Sequence, residues 1–186
     1  MTEPARAIEN LLYLYAERID AGDLEGVAEL FTHGRIQVSH GANSVRTFEG
    51  RDAVLALYRA STRLYEDGTP RTKHVTTNAF IEVEPIGTRA SARSGFTVFQ
   101  QVGDTPLQPI VCGRYADTFH VVDGRWCFDT RRMQVDLVGD AVHDGGAQPT
   151  LVGEVPEDRA RVHSGALGHR PHGEAPPVAD RRLAQQ

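Results

Sequence analysis

The chain has 186 residues, 40% of them hydrophobic and 24% charged, the balance of a globular domain with a sizeable core. Its formal net charge of −5 comes without any run of lysines or arginines, which argues against the basic footprint that holds nucleic-acid phosphates. No apolar stretch approaches the ~20 residues of a membrane span, "MTEPARAIEN" has no apolar signal core, and Cys112 and Cys127 form no CxxC pair. A cytoplasmic protein with reduced thiols, no nucleic-acid partner and no membrane partner is expected.

The elements follow in chain order. In residues 5–20, "ARAIENLLYLYAERID", the apolar positions Ile8, Leu12, Tyr15 and Ile19 recur at helical spacing. Gly22 stops that helix and Asp23 can cap the next, "LEGVAELF". "RIQVS" and "VRTFEG" read as short strands joined by "HGAN". "RDAVLALYRASTRLYED" reads as a third helix with Val54, Leu55, Tyr58 and Leu64 facing the core, ended by Asp67-Gly68. Phe48 and Tyr58 are candidate wall residues of a pocket.

From residue 73 the period becomes two. Four strands are expected over "KHVTTNAFIEVE", "RASARSGFTVFQQV", "PIVCGRYADTFHVV" and "RWCFDTRRMQVDLVG". The last two are joined by Asp123-Gly124, a tight-hairpin signal. Helices first and an antiparallel meander afterwards define an α+β domain. A long, strongly curved, mainly antiparallel sheet carrying the N-terminal helices would make an open cone-shaped barrel, and such cones bind small molecules at the mouth. An open sheet also leaves an apolar outer face to cover, so a homo-oligomer is expected.

Residues 145–186 differ in character. They hold five of the ten prolines and six of the eighteen glycines, and no aromatic residue follows Phe128. The domain is therefore placed at 1–144, and 145–186 is read as a Gly/Pro-rich tail unable to build its own core, either unfolded or lying across the domain or a neighbouring subunit. His163, His169 and His172 in this tail lack the spacing and nearby carboxylates of a metal site, and no metal is expected.

In "TKHVTTNAF" a histidine sits at the start of a strand. By themselves the residues leave two readings of His74, a packed and hydrogen-bonded strand residue or a group facing a pocket. Alternation places His74, Thr76 and Asn78 on one face unless a bulge intervenes, making Asn78 a candidate substrate contact. Tyr115 and Asp117 share a face in "GRYADTF". Tyr115 reads equally as a core aromatic and as a donor to a substrate oxygen.

"IENLLYLYAERIDAGDLEGVAELFTHGRIQV", "KHVTTNAFIEV" and "GRYADTFHVVDGRWCFDTRRMQVDLVGD" together resemble SnoaL-like proteins of the nuclear transport factor 2-like superfamily over residues 5–140. Within it the pattern is similar to scytalone dehydratase, bile-acid 7α-dehydratase and the dehydrochlorinase of hexachlorocyclohexane. Those enzymes carry an Asp near the end of the first helix and a His at the start of the third strand, positions matched here by Asp20 and His74. The bile-acid enzyme's Tyr five residues before its Asp is matched by Tyr15. The resemblance implies a His74–Asp20 dyad that abstracts a proton from a small hydrophobic, cyclic or polyketide-like substrate, with loss of water or a double-bond shift and no cofactor. It also implies assembly as a dimer or trimer. A recurrent Arg five residues after the strand Trp is matched by Arg131, which would pair with Asp117 or bind an anionic group. Departures are Ile19 where scytalone dehydratase has Tyr, and no counterpart of that enzyme's second catalytic His. Cyclisation of a polyketide, or ligand binding without catalysis, are the alternative readings.

Overall fold

A computed structural model describes residues 3–40 and 44–139. The expected boundary at 144, the tail and its histidines lie outside the described residues, as does the second of the chain's two units, Glu157–Gln186.

Helix α1 (Pro4–Asp20) opens with a proline in its first turn, where the missing N–H costs nothing and the fixed φ suits a helix. Its stripe of Ile8, Leu12, Tyr15 and Ile19 is buried. Each such side chain contributes about 1.5–3 kcal/mol through removal of apolar surface from water. The helix ends in a Schellman motif, with Gly22 N–H donating to the Ile19 carbonyl and Asp23 N–H to that of Arg18. Gly22 has φ +76°, and a Cβ there would sit 2.0 Å from the Gly68 carbonyl oxygen. Asp20 is thereby fixed as the last helical residue. Helix α2 (Leu24–Glu29) follows at once, capped by the Asp23 carboxylate accepting from Gly26 N–H at 2.8 Å.

Strands β1 (Arg35–His40) and β2 (Ser44–Glu49) lead into α3 (Gly50–Ser61). This helix is shorter than expected. Thr62 is already extended, with φ −114° and ψ 115°, and the chain turns through Tyr65–Thr69, with Tyr65 N–H bonded to the Thr69 carbonyl. Leu64, expected in the core, is therefore 42% exposed. The long strands are β3 (Thr72–Val83), β4 (Arg89–Gln100), β5 (Gln108–Val122) and β6 (Arg125–Val138). Asp123 and Gly124 join the last two with φ +49° and +75°, the two positive angles of a type I′ turn.

The six strands lie in the order β2-β1-β6-β5-β4-β3, antiparallel throughout except for the parallel pair β1 and β6. The α+β class expected from the sequence is what forms, but a barrel is not. The sheet stays open, with β2 and β3 as its two edges. Helix α1 packs against β3 and β6, and α3 packs against β1 and β2. Their apolar sides and the inward residues of β4 and β5 make the core; burial alternates throughout β4, and in β5 from Cys112 to Phe119, after the adjacent buried pair Ile110 and Val111. No helix among the described residues is long and apolar enough to cross a membrane.

Candidate functional site

The Schellman turn places the Asp20 carboxylate at the C-terminus of α1, where the helix dipole disfavours negative charge. The first residues of β3 offset this. Thr72 Oγ1 donates to Asp20 Oδ1 at 3.0 Å, and the His74 backbone N–H donates to Oδ2 at 2.8 Å. His74 Nδ1 lies 2.6 Å from Oδ1. The contact is largely shielded, with side-chain exposures of 12% for His74 and 9% for Asp20. A carboxylate is an acceptor only, so Nδ1 carries the proton and Nε2 is left as the basic nitrogen of the neutral ring.

His74 lines a cavity of about 100 Å³ between α1, the end of α3 and the sheet. Its wall is mostly apolar, with Ile19, Phe96, Val98, Val111 and Met133 contributing. That volume approaches what one apolar ring needs. Tyr15 and Tyr115 also line it. Their rings meet edge-on at 6.1 Å, and Tyr115 stacks on Phe96 at 4.4 Å. The Tyr15 hydroxyl is 2.6 Å from that of Tyr58, which lies fully buried behind it and outside the cavity lining. Burial, with the neighbouring Tyr15, pushes the phenols of Tyr58 and Tyr115 well above their usual range.

Beneath the two tyrosines sits Arg131, fully buried and paired with the equally buried Asp117 through bonds of 3.1 and 2.8 Å. Burial works against both charges. It raises the Asp117 carboxyl, while the carboxylate contact outweighs burial at Arg131 and holds the guanidinium firmly protonated. The guanidinium carbon lies 4.2 Å from the Tyr15 ring centre and 4.1 Å from that of Tyr115, so the cation clamps the two rings from below.

The structure thus gathers His74, Tyr15 and Tyr115 at one cavity, with Asp20 bonded to His74 but outside the lining, and leaves other expected contacts elsewhere. Arg131 and Asp117 are absent from the cavity lining, each consumed by the other. Asn78 is corrected by a bulge. The β3–β4 register shifts between Thr77 and Phe80, and Asn78 takes φ +54°, which breaks the alternation that would have kept it beside His74. It lines a separate depression. Phe48 sits on β2, at the opposite edge of the sheet from β3, and packs against the core. Residues not anticipated are Thr72, Gln100 and the apolar wall of β4–β6. Thr72 was open to inference, since it lies two residues before His74 on the same strand face.

An open α+β sheet with helices laid across one face and a polar pair at a cavity defines an NTF2-like protein. The chain belongs to the SnoaL-like domain family, whose model matches residues 2–132. It is similar to an NTF2-like protein with a cystatin-like fold from Novosphingobium aromaticivorans, at 25% identity over 70% of this chain and 80% of that one, with a TM-score of 0.57. It is also similar to a candidate scytalone dehydratase of the same organism, at 25% identity over 81% of this chain and 94% of that one, with a TM-score of 0.58. The β subunit of a candidate aromatic-ring-hydroxylating dioxygenase, again from N. aromaticivorans, shares the fold at 20% identity, with 80% and 94% of the two chains covered and a TM-score of 0.59. No curated protein matches the chain.

Proposed function

We propose that the protein is a cofactor-independent lyase or isomerase of the dehydratase type, acting on a small hydrophobic cyclic substrate. The observation that carries this reading is the 2.6 Å contact between Asp20 and His74 Nδ1 beside an apolar cavity that His74 lines. In the reaction, His74 Nε2 takes the proton from the carbon next to the substrate carbonyl. The electron pair moves toward the carbonyl oxygen, and Asp20 stabilises the imidazolium. The enolate then re-forms the carbonyl while the neighbouring carbon–oxygen bond breaks. His74 returns its proton to the departing hydroxide, so that water and a conjugated double bond are the products. Return of the proton to another carbon gives isomerisation instead. Tyr15 donates to the developing oxyanion when Tyr58 donates to Tyr15, and Tyr115 supplies a second hydroxyl. Similarity to the candidate scytalone dehydratase supports the same class.

The experiment is a panel of cyclic β-hydroxy ketones incubated with the protein and followed by mass spectrometry for loss of water. Turnover by the native chain and none by a folded His74→Ala variant is expected. Equal turnover by the two, with circular dichroism unchanged, sinks the dyad.

A further inference from the structure

Thr72 and Gln100 line the dyad cavity, and the proposed reaction uses neither as a substrate contact. Strand register pairs Thr72 with Gln100 and His74 with Val98, and Tyr115 stacks on Phe96. Phe96, Val98 and Gln100 are successive inward positions of β4, about 13 Å from first to last at ordinary strand rise. The cavity therefore runs from the tyrosine rings, past His74, to a polar end made by Thr72 and Gln100 on adjacent strands.

The oxygens at that end are short of donors. Gln100 is only 4% exposed, and its Nε2 donates to the Pro70 carbonyl at 3.3 Å. Exchanging the amide's oxygen and nitrogen would set two oxygens against each other, so Pro70 fixes which atom is which. Oε1 is buried and has no hydrogen-bond partner among the described residues. Thr72 Oγ1 gives its proton to Asp20 Oδ1 at 3.0 Å, and a carboxylate can only accept. That oxygen can therefore offer a ligand nothing but lone pairs. Ser61 Oγ, also in the lining, donates to the Leu57 carbonyl at 2.9 Å. Arg63, the cation in the lining, sits over the Tyr65 ring at 4.9 Å and leaves Oε1 unanswered. Buried polar atoms in folded proteins are satisfied with few exceptions, and an orphaned acceptor is a cost that an incoming O–H removes.

We infer that Thr72 and Gln100 are a specificity-determining pair that accepts a hydrogen bond from a second hydroxyl of the substrate, one that the reaction leaves in place. The inference rests on the lyase reading for where the carbonyl lies. With the carbonyl at the tyrosines and the carbon that loses its proton at His74, a six-membered ring turns its far corner toward Thr72 and Gln100. The substrate class narrows from cyclic hydroxy ketones to those with a further free hydroxyl at that corner. A substituent of the same size that cannot donate leaves Oε1 unpaired and is rejected. Because Oε1 is buried, the ligand must shift the Gln100 side chain to meet it, and the side-chain amide signals of Gln100 report that shift.

The test is a titration of the isotope-labelled full chain with 4-hydroxycyclohexanone, and in parallel with 4-fluorocyclohexanone, followed by amide chemical shifts. Fluorine is close to a hydroxyl in size and cannot donate. Neither ketone carries the β-hydroxyl that elimination removes, so binding is read whether or not the protein is a lyase. The alcohol should bind about tenfold more tightly than the fluoride, the worth of one hydrogen bond to a buried acceptor, and should move the Gln100 side-chain amide signals. Gln100→Leu keeps the bulk, removes the acceptor and should erase most of that preference. Equal affinity of the native chain for the two ketones overturns the inference without any variant. So does a preference that survives in Gln100→Leu, or the absence of saturable shifts at Val98 and Gln100. Preference for the alcohol, lost in Gln100→Leu, beside no dehydration of any β-hydroxy ketone supports the pair and sinks the lyase reading alone.

Discussion

Asp20 and His74 are 54 positions apart in the chain, yet one carboxylate takes both the backbone N–H and the ring Nδ1 of the same histidine, at 2.8 and 2.6 Å. The bond to the backbone fixes where the carboxylate sits, and the bond to the ring fixes how the imidazole is turned. Two contacts to one residue define the geometry more tightly than a side-chain contact alone. A negative group at a helix C-terminus breaks the usual electrostatic rule, and a local rule broken with such compensation marks functional sites.

Asp20→Asn keeps the shape and removes the charge. The amide neither stabilises an imidazolium nor fixes its tautomer. Turnover should fall by about 10²–10⁴-fold, the worth of one acid–base group, with a much smaller change in KM. Steady-state kinetics on whichever cyclic hydroxy ketone turns over will measure it. An unchanged kcat contradicts the role given to Asp20.

Arg131 and Asp117 should be inseparable in stability. Arg131→Met alone strands a buried carboxylate and should cost about 3–5 kcal/mol, whereas pairing it with Asp117→Leu should recover most of that loss. Urea denaturation of the two single variants and the double variant gives the answer. Additive losses would mean that the pair is not the unit that its bond lengths of 3.1 and 2.8 Å describe.

Gly22→Ala tests whether the helix end positions the site. The residue has φ +76°, and the new methyl meets the Gly68 carbonyl. The backbone strain alone is worth about 1–3 kcal/mol. Thermal denaturation should show that loss. Turnover should fall as well, because the turn that sets Asp20 must shift.

Tyr58 and Tyr115 make an alkaline prediction. Their phenols are raised by burial, and an exposed phenol in the unfolded chain titrates near ~10. The folded state thus binds more protons than the unfolded one above that pH. The stability they confer is fully present below pH ~10 and is lost as pH rises toward the folded values. Absorbance titration should show Tyr58 and Tyr115, at least, among the five tyrosines ionising only together with loss of the circular dichroism signal. Ionisation of all five before unfolding contradicts their burial.

Much of the fold was legible because its signals are local. The stripe Ile8, Leu12, Tyr15, Ile19 and the stop at Gly22 give α1 from spacing and one glycine, and Asp123-Gly124 gives the last hairpin. The length of α3 was not legible, since Leu64 keeps helical spacing with Leu57 while the chain has already left the helix at Thr62. Asn78 was assigned to the wrong surface because a bulge carries no sequence mark beyond an asparagine that tolerates positive φ. The dyad came from resemblance. Nothing in the local pattern brings residue 20 to residue 74.

The central claim is that His74 is held by Asp20 with its proton on Nδ1 and its Nε2 free to act as a base. Nitrogen-15 NMR of the imidazole rings reads this directly. A His74→Gln spectrum identifies the signals among the eight histidines. At a pH where the ring is neutral, the account predicts a protonated Nδ1 and an unprotonated Nε2 for His74, with that preference lost in Asp20→Asn. A neutral ring carrying its proton mainly on Nε2 would contradict it.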